Sequence, residues 1–208
     1  MHTIRTTDQK SDGGQDLLLD TPRMRHLLHA VSDVRGKIAR MLKSGELIQL
    51  RRGLYANRRT IDARCLAGTI YGPSYVSFET ALAWHGMIPE AVIECLSATT
   101  KRAASFENAF GRFRYLHVPD AVYPVGIQRV TDFDLPFLIA SPTKALCDRI
   151  ALEAGFRSMT DVVRWLEGMR IDLETDLHKA ELELCGANYG SPAVRFLQQF
   201  ALKQGLVK

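Results

Sequence analysis

Apolar positions follow a helical period in the first third of this chain of 208 residues, turn strand-like in the middle and become helical again towards the end. Thr21 to Ala30 predicts a short helix with Pro22 at its first position, Leu27 and Leu28 facing a core, and Arg23, Arg25 and His26 outside. A break at Val31-Ser-Asp33 makes Ser32 the expected N-cap of a second helix, which runs to about Ser44 and closes on Gly45. Val34, Ile38, Met41 and Leu42 share its inner face. Leu47 to Leu50 and Leu54 to Ala56 flank Arg51-Arg-Gly53, the pattern of two short strands around a tight turn.

After Thr60, Ile61 to Tyr71 reads as a helix stopped by Gly72-Pro73, and Ser77 to His85 as another closed by Gly86 and Pro89. Strands are expected at Ala91 to Leu96, Arg112 to Val118, Ile127 to Thr131 and Leu135 to Ile139, which are rich in Val, Ile, Phe and Tyr. Ser141-Pro142 opens a helix with Ala145, Leu146, Ile150 and Ala151 inward, and three more helical patterns cover Ser158 to Met169, Leu173 to Cys185 and Ser191 to Gln204. The expected fold class is α+β. Residues 1–14 read as a polar, disordered tail, 15–60 as a winged helix-turn-helix domain, and 61–208 as a mixed domain with a small sheet and several helices.

Charge sharpens that division. Arg23 to Arg64 holds eleven basic and three acidic residues, a formal +8, whereas the whole chain is +4. The excess is therefore local and marks an electropositive face. No apolar run is long enough for a membrane span and the N-terminus has no signal-peptide core, so a cytoplasmic location is expected. Cys65, Cys95, Cys147 and Cys185 form no CxxC pair and read as reduced, buried thiols.

Helix, basic helix and basic hairpin in that order describe a DNA reader whose second helix enters the major groove while the wing follows the backbone. Arg forks suit guanine edges and phosphates; Lys and Ser supply single donors. Lys37, Arg40 and Ser44 recur at i, i+3 and i+7 and would form one groove-facing stripe. The candidate DNA-binding residues are Ser32, Arg35, Lys37, Arg40, Lys43, Ser44, Arg51, Arg52, Arg58 and Arg59, on the recognition helix, the wing and the backbone beside it. The plainer alternative is a solvated charged helix face. Tyr55 is expected to pack under the hairpin instead of stacking on a base.

Catalytic chemistry finds little support. Glu94-Cys-Leu96 lacks the lysine of a restriction-type nuclease strand, Asp132 and Asp134 read as a polar turn, and Glu181 and Glu183 fall on different helix faces. His26 and His29 have metal-compatible spacing but no third ligand nearby, and His85 reads as a helix-end residue bonded to the last carbonyls. There is no P-loop, GxGxxG or GxSxG run, so neither an enzyme nor a cofactor is expected. Trp84, Trp165, Phe78, Tyr115, Phe137 and Phe196 read as core formers. The competing function is a nucleic-acid-associated enzyme or a protein-interaction module with a DNA-binding head.

Three blocks carry a resemblance. Lys43-Ser-Gly-Glu-Leu-Ile-Gln-Leu-Arg-Arg-Gly-Leu-Tyr-Ala56, then Tyr75-Val-Ser-Phe-Glu-Thr-Ala-Leu-Ala-Trp-His-Gly-Met-Ile-Pro89, and Ile139-Ala-Ser-Pro-Thr-Lys-Ala-Leu-Cys-Asp148 resemble the AbiEi antitoxin family of transcriptional regulators, over about Met24 to Arg170. The resemblance implies the antitoxin of a type IV toxin-antitoxin system, binding inverted repeats in double-stranded DNA of its own promoter. It also implies a nucleotidyltransferase-like toxin as functional partner, opposed without a stable complex. Oligomeric state is left open, monomers binding DNA cooperatively being one arrangement it allows. The C-terminal portion is shorter than in longer family members, and antitoxin activity is expected to depend on that portion.

Overall fold

A computed structural model of the chain describes residues 17–173 and 177–208. The expected tail at 1–14 lies outside the described residues. Two compact units divide at Thr60/Ile61, and the fold is α+β.

In unit 1 the described order is β1 (Leu18–Asp20), α1 (Thr21–Leu27), α2 (Val34–Ser44), β2 (Ile48–Arg51) and β3 (Leu54–Ala56). The two hairpin strands gain an unexpected third: β1 pairs antiparallel with β3, giving the sheet order β1-β3-β2. Asp20 caps α1, its carboxylate accepting from Arg23 N at 2.9 Å, with Pro22 in the first turn. This helix ends at Leu27, three residues before expectation, because Leu28 to Val31 turn through a Val31 N to Leu28 O bond of 2.9 Å. Leu27 is 56% exposed and is not a core residue; Met24 takes that place.

Asp33, and not Ser32, caps α2, accepting from Gly36 N at 2.9 Å. A Cβ at Gly36 would run into the Asp33 carboxylate, so glycine lets that cap sit close to the backbone. At the other end Gly45 closes the helix at φ +76°, in the left-handed region where glycine is favoured. Buried Leu19, Met24 and Leu47 form the centre of this unit, with Leu28, Ile38, Met41, Leu42 and Tyr55 packed around them. Tyr55 lies against this core, as its apolar neighbours predict.

Unit 2 is built on a six-stranded mixed sheet in the order β6-β7-β5-β4-β9-β8. Its strands are β4 (Ser74–Val76), β5 (Glu94–Thr99), β6 (Ala104–Asn108), β7 (Gly111–His117), β8 (Ile127–Val130) and β9 (Phe137–Ala140). Neither β4 nor β6 is apparent in the sequence, and the predicted strand at Ala91 to Leu96 is displaced to Glu94–Thr99. Central β4 runs antiparallel to β5 and parallel to β9, and all three of its residues are buried.

The helices of this unit are α3 (Ala63–Ile70), α4 (Phe78–Trp84), α5 (Pro142–Ile150), α6 (Met159–Gly168), α7 (Lys179–Asn188) and α8 (Pro192–Gln204). Helix α7 starts well after Leu173 because Leu177 is fully buried and paired in extended form: its N–H bonds Leu206 O, and Lys208 N bonds its carbonyl. Residues 174–176 of the predicted helix lie outside the described residues. Phe78, Tyr115 and Phe137 are core residues, whereas Trp84, Trp165 and Phe196 are half-buried. No helix of the described residues is long and apolar enough to cross a membrane.

Candidate nucleic-acid interface

The α2 helix half-buries one face and leaves the other to solvent. Ile38, Met41 and Leu42 face the core of unit 1, while Ala39, Arg40 and Lys43 are exposed on the far side and half-buried Gly36 lies between them. The outward stripe is therefore Gly36, Ala39, Arg40 and Lys43. Of the predicted stripe of Lys37, Arg40 and Ser44, Arg40 and Ser44 are exposed and Lys37 is half-buried. Lys37 lies at one border of the core face. Exposed Ser44 bonds locally, its Oγ donating to Met41 O at 3.1 Å and to the Glu46 carboxylate at 2.8 Å.

The remaining predicted residues divide into open charges and structural ones. Arg35, Lys43, Arg51 and Arg52 are exposed and have no polar partner among the described residues. Arg51 ends β2 and Arg52 leads the two-residue turn, where Gly53 at φ +77° lets the strands reverse. Arg40 donates Nε to Gly36 O at 3.2 Å, which ties its guanidinium to the helix and leaves both Nη groups without a partner among the described residues. Arg59 donates to Gly45 O at 3.5 Å, a long bond to the end of α2, where a cation also suits the helix dipole. Ser32 is exposed ahead of α2, and exposed Arg58 follows β3. Among the described residues, Arg35, Lys43, Arg51 and Arg52 thus offer donors with no carboxylate to receive them, chemistry suited to phosphate and to base acceptors.

Unit 2 contains a polar centre that the sequence reading missed. Asp148 is fully buried and accepts four donors: Tyr75 OH at 2.9 Å, Ser77 Oγ at 2.6 Å, Lys144 Nζ at 2.5 Å and Tyr189 OH at 2.5 Å. Burial, followed by the neighbouring Asp148 charge, pushes both tyrosine hydroxyls far above their usual range, so they remain donors. Lys144 is also fully buried, 5.0 Å from the Tyr189 ring centre. The i, i+4 spacing of Lys144 and Asp148 within a helix was the available signal.

Ser141 and Lys144 have the S-x-x-K spacing of some acyl-transfer enzymes, but their geometry is structural. Ser141 Oγ accepts the Lys144 N–H at 3.1 Å as an N-cap and donates to Glu181, while Lys144 Nζ points to Asp148. Ser141 and Lys144 are 3% and 0% exposed. His85 also differs from expectation: its ring Nε2 lies 2.8 Å from Ala140 O on β9, not on the carbonyls of its own helix.

All four cysteines are free and buried. Burial pushes the Cys95 thiol up to about 12. Among the described residues no three His, Cys, Asp or Glu side chains form a metal-holding group. The half-open cavity beside α4, about 390 Å³, is lined in part by Asp62, Arg64, Trp84 and Glu94. Its arginine is committed: Asp62 takes Arg64 Nη2 at 2.6 Å, and the guanidinium lies 4.2 Å from the Trp84 ring centre. No family model matches the chain, and no curated protein matches it either.

Proposed function

We propose that this chain is a DNA-binding transcriptional repressor, with residues 15–60 acting as a winged helix-turn-helix. The arrangement of β1, α1, α2 and the β2-β3 hairpin supports it, with α2 as the helix for the major groove and Arg51-Arg52 at the wing tip. One observation carries the proposal: Arg35, Lys43, Arg51 and Arg52 project from α2 and the hairpin without a carboxylate partner among the described residues. A protein gains no folding stability from such charges, while a polyanion gains contacts and releases counterions.

On the resemblance of the three blocks to the AbiEi family, the chain acts as the antitoxin of a type IV system, repressing its own operon through inverted repeats. Its functional partner is a nucleotidyltransferase-like toxin opposed without a stable complex. The chain then works in the cytoplasm, by binding and not by catalysis. Footprinting on the DNA upstream of its own coding sequence tests this. Protection of paired repeats is the expected result, and uniform digestion at saturating protein would remove the repressor role.

A further inference from the structure

We infer that Arg40 is the base-reading residue of α2, selecting a guanine, with Ala39 seated against the methyl group of a neighbouring thymine. The inference rests on the DNA-binding proposal above and goes beyond it by dividing the basic residues into readers and anchors.

The division follows from where each side chain leaves the helix. Arg35 and Lys37 border the core face from its two sides, so they reach sideways towards the rims of a groove, where phosphates lie. Lys43 is a single point charge near the C-terminal end of α2, and Arg51 and Arg52 stand on the hairpin. Arg40 alone combines an outward position with a fixed orientation. Its Nε bond to Gly36 O anchors the base of the guanidinium and presents two Nη donors in one plane. Guanine offers two acceptors, N7 and O6, at the spacing of that fork; adenine replaces one of them with a donor and is rejected.

The surface beside Arg40 favours close approach. Gly36 and Ala39 are its small neighbours on the outward stripe, so no long side chain holds the helix off the base edges. An exposed alanine methyl offers the thymine methyl an apolar contact and offers no hydrogen bond to any base. Arg40 takes no part in the core of unit 1, so its replacement leaves the fold intact.

Selection from a random duplex pool, followed by anisotropy titrations of the preferred and a scrambled duplex, tests the assignment with Arg40→Ala and Arg40→Lys. Both variants are expected to lose roughly 5- to 150-fold on the preferred duplex. Arg40→Lys, which keeps the charge, should bind the scrambled duplex as the unaltered protein does. Replacing guanines one at a time by deazaguanine, which lacks the N7 acceptor, should find a position that weakens the unaltered protein and has no further effect on Arg40→Ala. Thymine to uracil at the adjacent step should weaken binding less. Equal losses on both duplexes overturn the inference and make Arg40 a phosphate contact. A pool that yields bound DNA without a preferred sequence also overturns it while leaving DNA binding intact. Failure to bind any duplex removes the underlying proposal as well.

Discussion

The two units treat positive charge in opposite ways. Residues 1–60 contain twelve basic and six acidic residues, and residues 61–208 fifteen and seventeen. In the second unit Arg64, Arg112, Arg114, Lys144, Arg149, Arg164 and Arg170 each have a carboxylate within 4.0 Å. In the first, Arg35, Lys37, Lys43, Arg51 and Arg52 have none among the described residues, and Arg40 and Arg59 bond only to backbone carbonyls. The described acids of unit 1 go elsewhere: Asp20 and Asp33 cap helices, and Glu46 lies against Ser44. Seven basic residues of unit 2 are thus joined to carboxylates, whereas among the described residues Arg35, Lys37, Lys43, Arg51 and Arg52 of unit 1 are joined to none.

Breaking the internal use should have the largest effect. Asp148→Ala leaves Lys144 charged and buried among tyrosines, and is expected to destabilise unit 2 by about 3–5 kcal/mol in urea unfolding. Replacing Lys144 by Met and Asp148 by Leu together should be milder than Asp148→Ala alone, because no charge is then stranded. Equal losses in the two proteins would contradict a charge-based explanation.

Next comes the outward charge. Arg51→Ala with Arg52→Ala is expected to weaken duplex binding and to flatten the salt slope by about 0.9 per lost phosphate contact, up to two contacts. Unfolding should shift by no more than about 0.5 kcal/mol. An unchanged affinity and slope in anisotropy titrations would remove the wing from the interface.

Gly45→Ala probes the end of the presenting helix. The left-handed φ at that position costs alanine about 1–2 kcal/mol, and its Cβ would also collide with the Arg59 guanidinium. Reduced stability should therefore appear in thermal unfolding of unit 1 before any change in salt slope.

The smallest effect concerns acid. Arg64 beside Asp62 holds this carboxyl below its usual range. A depressed folded value means stability that is present above the ordinary carboxylate range and lost as pH falls through the folded one. Asp62→Asn keeps a capping side chain for α3 but removes the charge, so the difference in urea midpoint between the two proteins should shrink on acidification. A difference independent of pH would assign the effect to the cap alone.

Local chemistry explains which elements were readable in advance. Helix α2 announces itself through Ile38, Met41 and Leu42 at helical spacing and through Gly45. Helix α5 does so through Ser141-Pro142. Strand β4 escapes notice because three residues, one of them Ser74, give no period, and only its place between β5 and β9 makes it a strand. Ser32 and Asp33 are both good caps, and nothing local distinguishes them. Position on α2 was readable to within one turn; burial then separated Lys37 from Arg40. The Asp148 centre draws Tyr75, Ser77, Lys144 and Tyr189 from distant segments, and only the fold brings these donors to one carboxylate.

The hairpin turn has only two residues, Arg52 and Gly53, between paired strands. A loop that short has almost no slack, so its arginines arrive as a stiff prong and little backbone entropy is lost on docking. On the proposal that this element meets DNA, salt should slow association through weakened steering far more than it speeds dissociation, as stopped-flow mixing at two salt concentrations would read.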